Sequence, residues 1–339
     1  MHALVTGGGG FLGRYICEQL VARGDRVRSY SRSAYPELTN LGVEVVRGDV
    51  TDRSATIDVC ADVDCVFHTV AIAGIGGSWT DYANTNVMGT RNVLTGCRVH
   101  RVPRLVYTSS PSAVFAGKDQ CGVDESTRFD LDWLERYHCH YSRSKALTEA
   151  AVWMRNGHAG LQICRLRPHL IWGPRDQHLI PRLIARAKSG RLRRVGDGTN
   201  LIDMTYVENA AEAHLQAADA LALENSPVAG NAYFLSQGEP VNCWQWIDEI
   251  LALAGVPPVE KLISQQTAWR LGAALETVYG LLRIRREPPM TRFLAAQLAT
   301  SHWFDISAAR RDFGYEPRVS TAEGMRRLGQ CLREQAPSA

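Results

Sequence analysis

Short apolar runs alternate with amphipathic stretches through the first half of the chain. The runs lie at residues 3–5, 26–30, 43–47, 63–70, 104–107 and 161–167. After the first run, residues 11–23 carry Leu12, Ile16, Leu20 and Val21 on one helical face, and the pattern ends at Gly24. Strands that are separated by helix-length segments predict βαβ units and therefore a parallel sheet.

The alternation is lost from about Trp172 onward, where polar turns and helical pieces follow in no regular order. Two apolar helical stripes are predicted, at residues 180–187 and 268–282, and the second is followed by Arg283, Arg285 and Arg286. That second stripe could rest on a membrane surface, but core packing or a cover over an apolar substrate is the favoured interpretation. We expect an α/β, Rossmann-type, doubly wound parallel sheet over residues 1–171. A smaller C-terminal substrate-binding region follows over 172–339, with some segments returning to the first domain.

Composition excludes several classes of protein. The chain has 339 residues with 38 Lys and Arg against 35 Asp and Glu, and this net charge of +3 argues against a dedicated nucleic-acid binder. No run of 18 apolar residues is present, so no transmembrane segment is expected. Nine cysteines without a C-x-x-C pair predict a reduced protein, and with no signal peptide evident we expect it in the cytoplasm.

A glycine cluster lies between the first predicted strand and the first predicted helix. Gly7 would allow a tight turn, Gly10 would let the backbone approach a pyrophosphate, and Gly13 would let the helix pack closely on the strand. Phe11 and Leu12 complete this turn, so the phosphates would rest on the helix N-terminus. The spacing is G-x-x-G-x-x-G rather than G-x-G-x-x-G, yet its position between strand and helix predicts dinucleotide binding.

The end of the second strand indicates which dinucleotide binds. An NAD site places a carboxylate there for the ribose 2′-hydroxyl, whereas an NADP site needs cations and hydroxyls for a 2′-phosphate. Residues 30–33 read Tyr-Ser-Arg-Ser, so Arg32 can pair with the phosphate and the sequence favours NADP(H). After the third strand, Asp49 and Val50 would contact the adenine, although Asp49 as a simple turn residue is nearly as good an interpretation.

Tyr141 and Lys145 are four residues apart, which places both side chains on one face of a helix. A phenol with a pKa near 10 is a poor acid–base group at neutral pH, and a nearby cation lowers that pKa. Ser110 follows the strand at 104–107, and a hydroxyl at the carboxyl end of a parallel strand faces the ligand crevice. The three residues together predict reduction or oxidation at a carbonyl, with Tyr141 as the acid–base group.

These motifs, in this order, resemble the extended short-chain dehydrogenases/reductases, and specifically their 3β-hydroxysteroid dehydrogenase-like branch. The segments that carry the resemblance are 6–13, 49–50, 66–71, 86–94, 109–110, 141–145 and 167–168. Further segments resemble reductases of long-chain 2-alkyl-3-keto acids in bacterial olefin biosynthesis. Those segments are 167–174, 195–198, 291–294 and 311–315, together with Ala113.

The resemblance implies roles by position. Ser110, Tyr141 and Lys145 would be the catalytic hydroxyl, the acid–base group and the ribose-binding lysine. Asn86 would shape the neighbouring helix, while Ala71 and Pro168 would contact the cofactor, Pro168 at the nicotinamide. The substrate would be a hydrophobic keto acid, its two alkyl arms covered by Trp269, Leu275 and Phe293 in a hypothesis from composition and resemblance.

The resemblance also implies partners and leaves alternatives open. Helices near residues 84–98 and 141–154 would pair across a homodimer, and assembly with other olefin-pathway enzymes is conceivable. The acid that the branch often carries after its second strand is absent, which disfavours an NAD-linked steroid oxidation. A steroid dehydrogenase, a nucleotide-sugar epimerase and a non-catalytic NADP-binding scaffold remain as alternatives. No metal site is expected, and His138-Cys139-His140 is interpreted as a loop that lines the site.

Overall fold

The computed structural model describes residues 1–282, 284 and 287–335. Arg283, Arg285 and Arg286, which the sequence places after the second apolar stripe, lie outside the described residues. The strands, in chain order, are β1 (His2–Thr6), β2 (Arg26–Ser31), β3 (Glu44–Arg47), β4 (Cys65–His68), β5 (Arg104–Thr108), β6 (Gln120–Val123), β7 (Gln162–Pro168), β8 (Ile171–Trp172), β9 (Arg194–Val195), β10 (Leu201–Ile202), β11 (Thr205–Tyr206), β12 (Ala232–Leu235), β13 (Val241–Asn242), β14 (Leu262–Ile263) and β15 (His302–Phe304).

Helices connect and flank these strands. The α-helices are α1 (Phe11–Ala22), α2 (Pro36–Asn40), α3 (Arg53–Asp58), α4 (Trp79–Tyr82), α5 (Gly89–Val99), α6 (Leu131–Arg136), α7 (His140–Trp153), α8 (Leu179–Lys188), α9 (Val207–Ala220), α10 (Cys243–Leu253), α11 (Gln265–Leu281), α12 (Arg292–Ala299), α13 (Ser307–Phe313) and α14 (Thr321–Gln335). A π-helical segment, Ala83–Met88, joins α4 to α5, and two short 3₁₀ segments lie at Pro111–Val114 and His158–Gly160.

A parallel sheet of seven strands forms the centre, in the order β12-β7-β5-β4-β1-β2-β3. The predicted Rossmann-type fold is therefore confirmed. The chain builds β1, β2 and β3 in one direction and then returns to add β4, β5, β7 and β12 on the other side of β1. The strand order reverses between β1 and β4, and ligands of such sheets bind at the carboxyl ends of the strands at this point.

Buried side chains fix the ends of β1 and β4 at this reversal. The imidazole of His68 lies 2.6 Å from the Thr6 hydroxyl through Nδ1 and 2.8 Å from the Thr90 hydroxyl through Nε2. Burial lowers the pKa of His68 to about 3, with a further contribution from the charge of Lys145, so the ring is neutral. This neutral bridge holds both strand ends to α5.

The C-terminal half contributes to two cores. Helix α9 packs against α1 on one face of the large sheet, and β12 forms an edge strand of that sheet. A separate apolar cluster surrounds the rings of Trp172, Trp244 and Trp246. Across the residues described, no helix is both long and apolar enough to span a membrane. The division at residues 171 and 172 stays a prediction.

Candidate active site

The glycine loop has the backbone geometry that a pyrophosphate needs. Gly7 has φ of 76°, a left-handed conformation that side chains disfavour. A Cβ on Gly13 would lie 2.1 Å from the carbonyl oxygen of Gly7, so only glycine lets α1 pack this closely on the loop. Gly10 is exposed, and it starts α1 without a side-chain cap, which leaves amide groups of the first turn available to an anion. The loop therefore fits a dinucleotide phosphate.

The side chains of Phe11 and Leu12, which complete this turn, pack against other side chains of the protein. Leu12 is buried in the sheet core, and the half-buried ring of Phe11 stands edge-on to Tyr15 at 6.0 Å between centroids. Both residues begin α1, so they fix the direction of the helix whose N-terminus faces the crevice. Their expected contact with the cofactor would come mainly from the backbone.

The end of β2 lies against the glycine loop. The hydroxyl of Ser31 accepts a hydrogen bond from the Gly9 amide at 3.4 Å, and the ring of Tyr35 covers Gly9 so closely that a Cβ there would lie 1.9 Å from it. Arg32 is exposed and makes no ion pair with any described residue. The next acid along the chain, Glu37, lies 3.1 Å from Arg14. Arg32 thus presents a guanidinium without an ion-pair partner among the described residues just after β2.

The end of β3 is built as a turn. The carboxylate of Asp49 accepts the amide of Thr51 at 2.9 Å, and its carbonyl oxygen accepts the Tyr30 hydroxyl at 3.0 Å. Val50 is buried, with a side-chain carbon only 2.6 Å from the position of a Cβ on Gly89. The turn role that the sequence left open for Asp49 is therefore present, and Val50 has little surface left for an adenine ring.

Asn86 joins the chain after β4 to the catalytic helix. Its Oδ1 accepts the amide of Ile72 at 2.8 Å, while its Nδ2 donates to the Ile72 carbonyl at 3.1 Å and to the Ser144 hydroxyl at 2.8 Å. Ala71, half-buried, precedes this clamp and follows β4 at the edge of the crevice. The π-helical segment that contains Asn86 widens the helix at this point, a feature that often marks functional sites.

Helix α7 carries Tyr141 and Lys145 one turn apart, as their spacing predicts. Lys145 is 2% exposed, and its Nζ donates to the carbonyl oxygen of Thr108 at 2.7 Å while lying 5.0 Å from the Tyr107 ring centroid. Ser110 follows the end of β5, and its hydroxyl lies 3.0 Å from that of Ser112. The three predicted catalytic side chains therefore meet at the carboxyl end of β5.

The charges at this site differ from the sequence expectation. Burial raises the pKa of Tyr141, and a hydrogen bond with Ser110 offsets part of the rise. Burial also lowers the pKa of Lys145 to about 7, although the negative charge of Glu149 opposes the shift. We expected Lys145 to lower the pKa of Tyr141, but in this structure the ammonium group of Lys145 donates its hydrogen bond to the Thr108 carbonyl oxygen. Tyr141 is consequently a protonated phenol at neutral pH, as a proton donor must be.

A buried ion pair between Glu149 of α7 and Arg167 of β7 joins the catalytic helix to the sheet. The sequence analysis did not predict this pair. Glu149 is 0% exposed and receives Nη2 of Arg167 at 2.6 Å and Nε at 3.1 Å. The hydroxyl of Ser109 donates to the same carboxylate at 2.5 Å. Glu149 lies four residues after Lys145 and eight after Tyr141, so helical spacing could have identified it as part of this face.

The remaining predicted cofactor contact, Pro168, is buried at the end of β7, beside β5. Its neighbour His169 forms a buried pair with Asp203, with 2.5 Å between Nδ1 and Oδ1. This pair anchors the chain as it leaves the sheet, which fixes Pro168 near the crevice.

An apolar cavity of about 450 Å³ lies beside the N-terminus of α7. Its walls include Tyr137, His138, His140, Tyr279 and Phe293. His138, in the turn before α7, and His140, its first residue, thus line this cavity together with Phe293. Tyr141, Lys145 and Ser110 are not among the described lining residues. Trp269 reaches the cavity only indirectly, through its ring contact with Tyr137 at 5.1 Å, and Leu275 is not among the described lining residues. No group of three or more His, Cys, Asp or Glu residues in the described chain is arranged to hold a metal ion.

The sheet, the glycine loop and the Tyr141–Lys145 helix define an NAD(P)-dependent oxidoreductase of the extended short-chain dehydrogenase/reductase type. The pattern of the 3-beta hydroxysteroid dehydrogenase/isomerase family matches residues 4–263, and the chain belongs to this family. The resemblance inferred from the sequence is confirmed.

Two relatives share nearly the whole chain. A 2-alkyl-3-oxoalkanoate reductase of Stenotrophomonas maltophilia (strain K279a) is 49% identical over 331 residues, which cover 97% of this chain and 98% of the relative. A 2-alkyl-3-oxoalkanoate reductase of Shewanella oneidensis is 44% identical, with coverage of 98% and 86%. This chain is thus similar over its full catalytic region to two reductases of one name.

Solved structures share the fold. The protein gox2253 aligns with a TM-score of 0.80 at 24% identity and 99% coverage of both chains. UDP-glucuronic acid 4-epimerase from Bacillus cereus, in complex with NAD, aligns with a TM-score of 0.73 at 21% identity, covering 98% of this chain and 99% of the epimerase. At these identities the likeness shows the architecture alone.

Proposed function

We propose that this protein reduces the 3-keto group of a long-chain 2-alkyl-3-oxoalkanoate to the 3-hydroxy acid with NADPH, as a step of bacterial olefin biosynthesis. The observation that carries the proposal is the meeting of Tyr141, Lys145 and Ser110 in a chain 44% to 49% identical to two reductases of that name. An apolar cavity lies next to them in the chain, at His140. An intact acid–base group argues against a scaffold that only binds the dinucleotide.

Each residue of the site has a separate role in the proposed reaction. The cofactor, when bound, supplies the hydride that reduces the carbonyl carbon. Tyr141 donates its phenolic proton to the carbonyl oxygen, and its raised pKa keeps that proton available at neutral pH. The Ser110 hydroxyl hydrogen-bonds the same oxygen as negative charge develops on it, and the nearby Ser112 hydroxyl helps to hold it in place. Lys145 binds the ribose from the floor of the crevice.

NADPH is favoured over NADH by the surface at the end of β2. Arg32 and Ser33 are exposed, and no acid occurs between residues 30 and 36. A guanidinium without an ion-pair partner can bind a phosphate with little competition from protein carboxylates. The roles of Gly7, Gly10 and Gly13 at the pyrophosphate are part of the same proposal.

A sterol is the second candidate substrate, because the family bears the name of a hydroxysteroid dehydrogenase and the cavity is apolar. The experiment is a panel: a 2-alkyl-3-keto acid, a 3β-hydroxysteroid and a UDP-sugar, each assayed with NADPH or NADP⁺ and with NADH or NAD⁺. The proposal expects the keto acid with NADPH to give the highest kcat/KM. Higher efficiency with the steroid would replace the proposal with the second candidate.

Several properties of the whole protein form part of the proposal. Helices α5 and α7 are proposed to pair across a homodimer, and exposed Met88, Trp153 and Met154 on or beside them supply apolar surface for it. Sedimentation as a monomer at micromolar concentration would exclude that dimer. We also propose that the protein is cytoplasmic and that it can assemble with other enzymes of the same pathway.

A further inference from the structure

Two histidines line the cavity immediately before the catalytic tyrosine in the chain. His138 and His140 both contribute to its wall, and their ring centroids are 5.9 Å apart. His138 has φ of 53°, in the left-handed region, and its carbonyl oxygen accepts the amide of His140 at 2.8 Å. A non-glycine residue in this conformation carries a backbone cost that local structure must offset. The tight turn brings both rings to the same cavity.

The ring of His140 has unused polar atoms. Its Nδ1 is buried without a hydrogen-bond partner, and Nε2 makes no hydrogen bond to any described residue. Trp79 and Tyr82 pack beside the ring, each at 6.1 Å between centroids. Because Nδ1 is closed to solvent, a ligand in the cavity would meet the ring through Nε2, which also lacks a hydrogen-bond partner among the described residues.

The described charges around this ring are compensated and do not repel an anion. Burial is the main cause of the lowered pKa of His140, with smaller contributions from His138 and Arg143. The Arg143 guanidinium is itself paired with Glu135 at 2.8 Å. The carboxylate of Glu276 also lines the cavity, but Arg292 neutralises it through contacts of 2.7 Å from its amide and its guanidinium. The surroundings of His140 therefore carry no uncompensated negative charge from Glu276.

We propose that His140, assisted by His138, binds the carboxylate of the substrate and so selects keto acids over neutral ketones. This inference rests on the proposed function, because it assumes a 3-keto acid. In such a substrate the carboxylate is two bonds from the keto carbon. Tyr82 lies close to both His140 and Tyr141: its ring centroid is 6.1 Å from that of His140, and its pKa is raised by burial and, to a lesser extent, by the charges of Glu287 and Tyr141. The His140 ring and the Tyr141 phenol therefore both lie near Tyr82, within reach of two neighbouring groups of one substrate. A carboxylate raises the proton affinity of the imidazole and can then be held by a charge-assisted hydrogen bond.

The test compares a substrate with its neutral analogue. A 2-alkyl-3-hydroxy acid and its methyl ester are each oxidised with NADP⁺, a direction that avoids the instability of keto acids. A charge-assisted hydrogen bond should make kcat/KM for the acid about 10- to 100-fold higher than for the ester. Equal efficiency for acid and ester would overturn the carboxylate site while leaving the reductase assignment intact. Oxidation of neither compound would instead contradict the proposed function.

The variant His140→Gln tests whether His140 is the source of the preference for the acid over the ester. The variant should reduce the acid-to-ester ratio of kcat/KM about tenfold or more, chiefly through a higher KM for the acid, while NADPH binding reports that the fold is intact. His158→Gln, in the exposed 3₁₀ segment after α7, is the matched control and should keep the wild-type ratio. An unchanged ratio in His140→Gln, or equal losses on both compounds, would overturn the inference. If the variant does not fold, inhibition of the wild type by a long-chain carboxylate, but not by its methyl ester, decides the question.

Discussion

Replacing Glu149 by Gln removes a negative charge from the buried face of α7 while keeping the size of the side chain. In the wild type this carboxylate is fully buried, holds Arg167 by two nitrogens and accepts the Ser109 hydroxyl. The substitution leaves the Arg167 guanidinium, whose side chain is only 4% exposed, without its counter-charge. Breaking a buried ion pair from one side costs about 3–5 kcal/mol, a large part of the stability of a typical protein.

The assay is urea unfolding of the wild type and of two variants. Glu149→Gln should lower the free energy of unfolding by about 3–5 kcal/mol. The control is Glu135→Gln, which breaks the pair with Arg143 at the other end of α7, where Glu135 is 61% exposed. A surface pair contributes about 0–1 kcal/mol, so this control should stay close to the wild type. A loss below about 1 kcal/mol for Glu149→Gln would refute the reasoning.

Glu149→Gln should also weaken cofactor binding. The charge of Glu149 opposes the lowering of the Lys145 pKa, so its removal should leave Lys145 less protonated at pH 7. NADPH should then bind more weakly to Glu149→Gln, as measured by fluorescence titration under conditions where the variant is folded. Wild-type NADPH affinity in the folded variant would show that Glu149 acts on stability alone.

Three further predictions follow from the cofactor site. Arg32→Asp should lower kcat/KM with NADPH about tenfold or more and raise it with NADH, since a repelling carboxylate replaces a phosphate-binding cation; a wild type that already uses NADH equally well would contradict this. Gly13→Ala places a methyl group 2.1 Å from the Gly7 carbonyl oxygen, and strain of about 1–3 kcal/mol should appear as lower stability and weaker NADPH binding; unaltered values for both would show that the loop adjusts freely. Burial lowers the pKa of Lys145 from 10.5 to about 7, so the unfolded chain binds more protons between these pH values, and the lysine is most destabilising below pH 7. Lys145→Met should therefore gain stability over the wild type at pH 7, and the gap should shrink by pH 9.5 in urea titrations; a constant gap would contradict the shift.

The sheet could be predicted because each early strand is an apolar run with a helix-length segment after it. Strands β2 and β5 begin at the predicted residues and extend one residue beyond the predicted ends. Strand β12 was not located, because its four residues follow a region without regular alternation and join the sheet only through long-range pairing with β7. Local periodicity carries no information about such a return.

The site was predictable where its chemistry is local in sequence. The spacing of Tyr141 and Lys145 fixes their common helical face, and Gly7 and Gly13 reflect backbone constraints of the loop. The partners of Glu149 could not be predicted in the same way, because Arg167 in β7 and Ser109 just after β5 are 18 and 40 residues away in the chain. The rise in the pKa of Tyr141 could not be predicted from the sequence either, because it depends on how deeply the side chain is buried.

The most direct test of the central claim is hydride transfer to a long-chain 2-alkyl-3-keto acid by the wild type and by Tyr141→Phe. The substitution removes the proton donor but little volume, so NADPH binding should survive while turnover falls by about 100-fold or more. Consumption of NADPH is followed by absorbance, and formation of the 3-hydroxy acid is verified by mass spectrometry. The account predicts rapid formation of this product by the wild type and severe loss in the variant. Reduction of the keto acid by Tyr141→Phe at a near wild-type rate would contradict it.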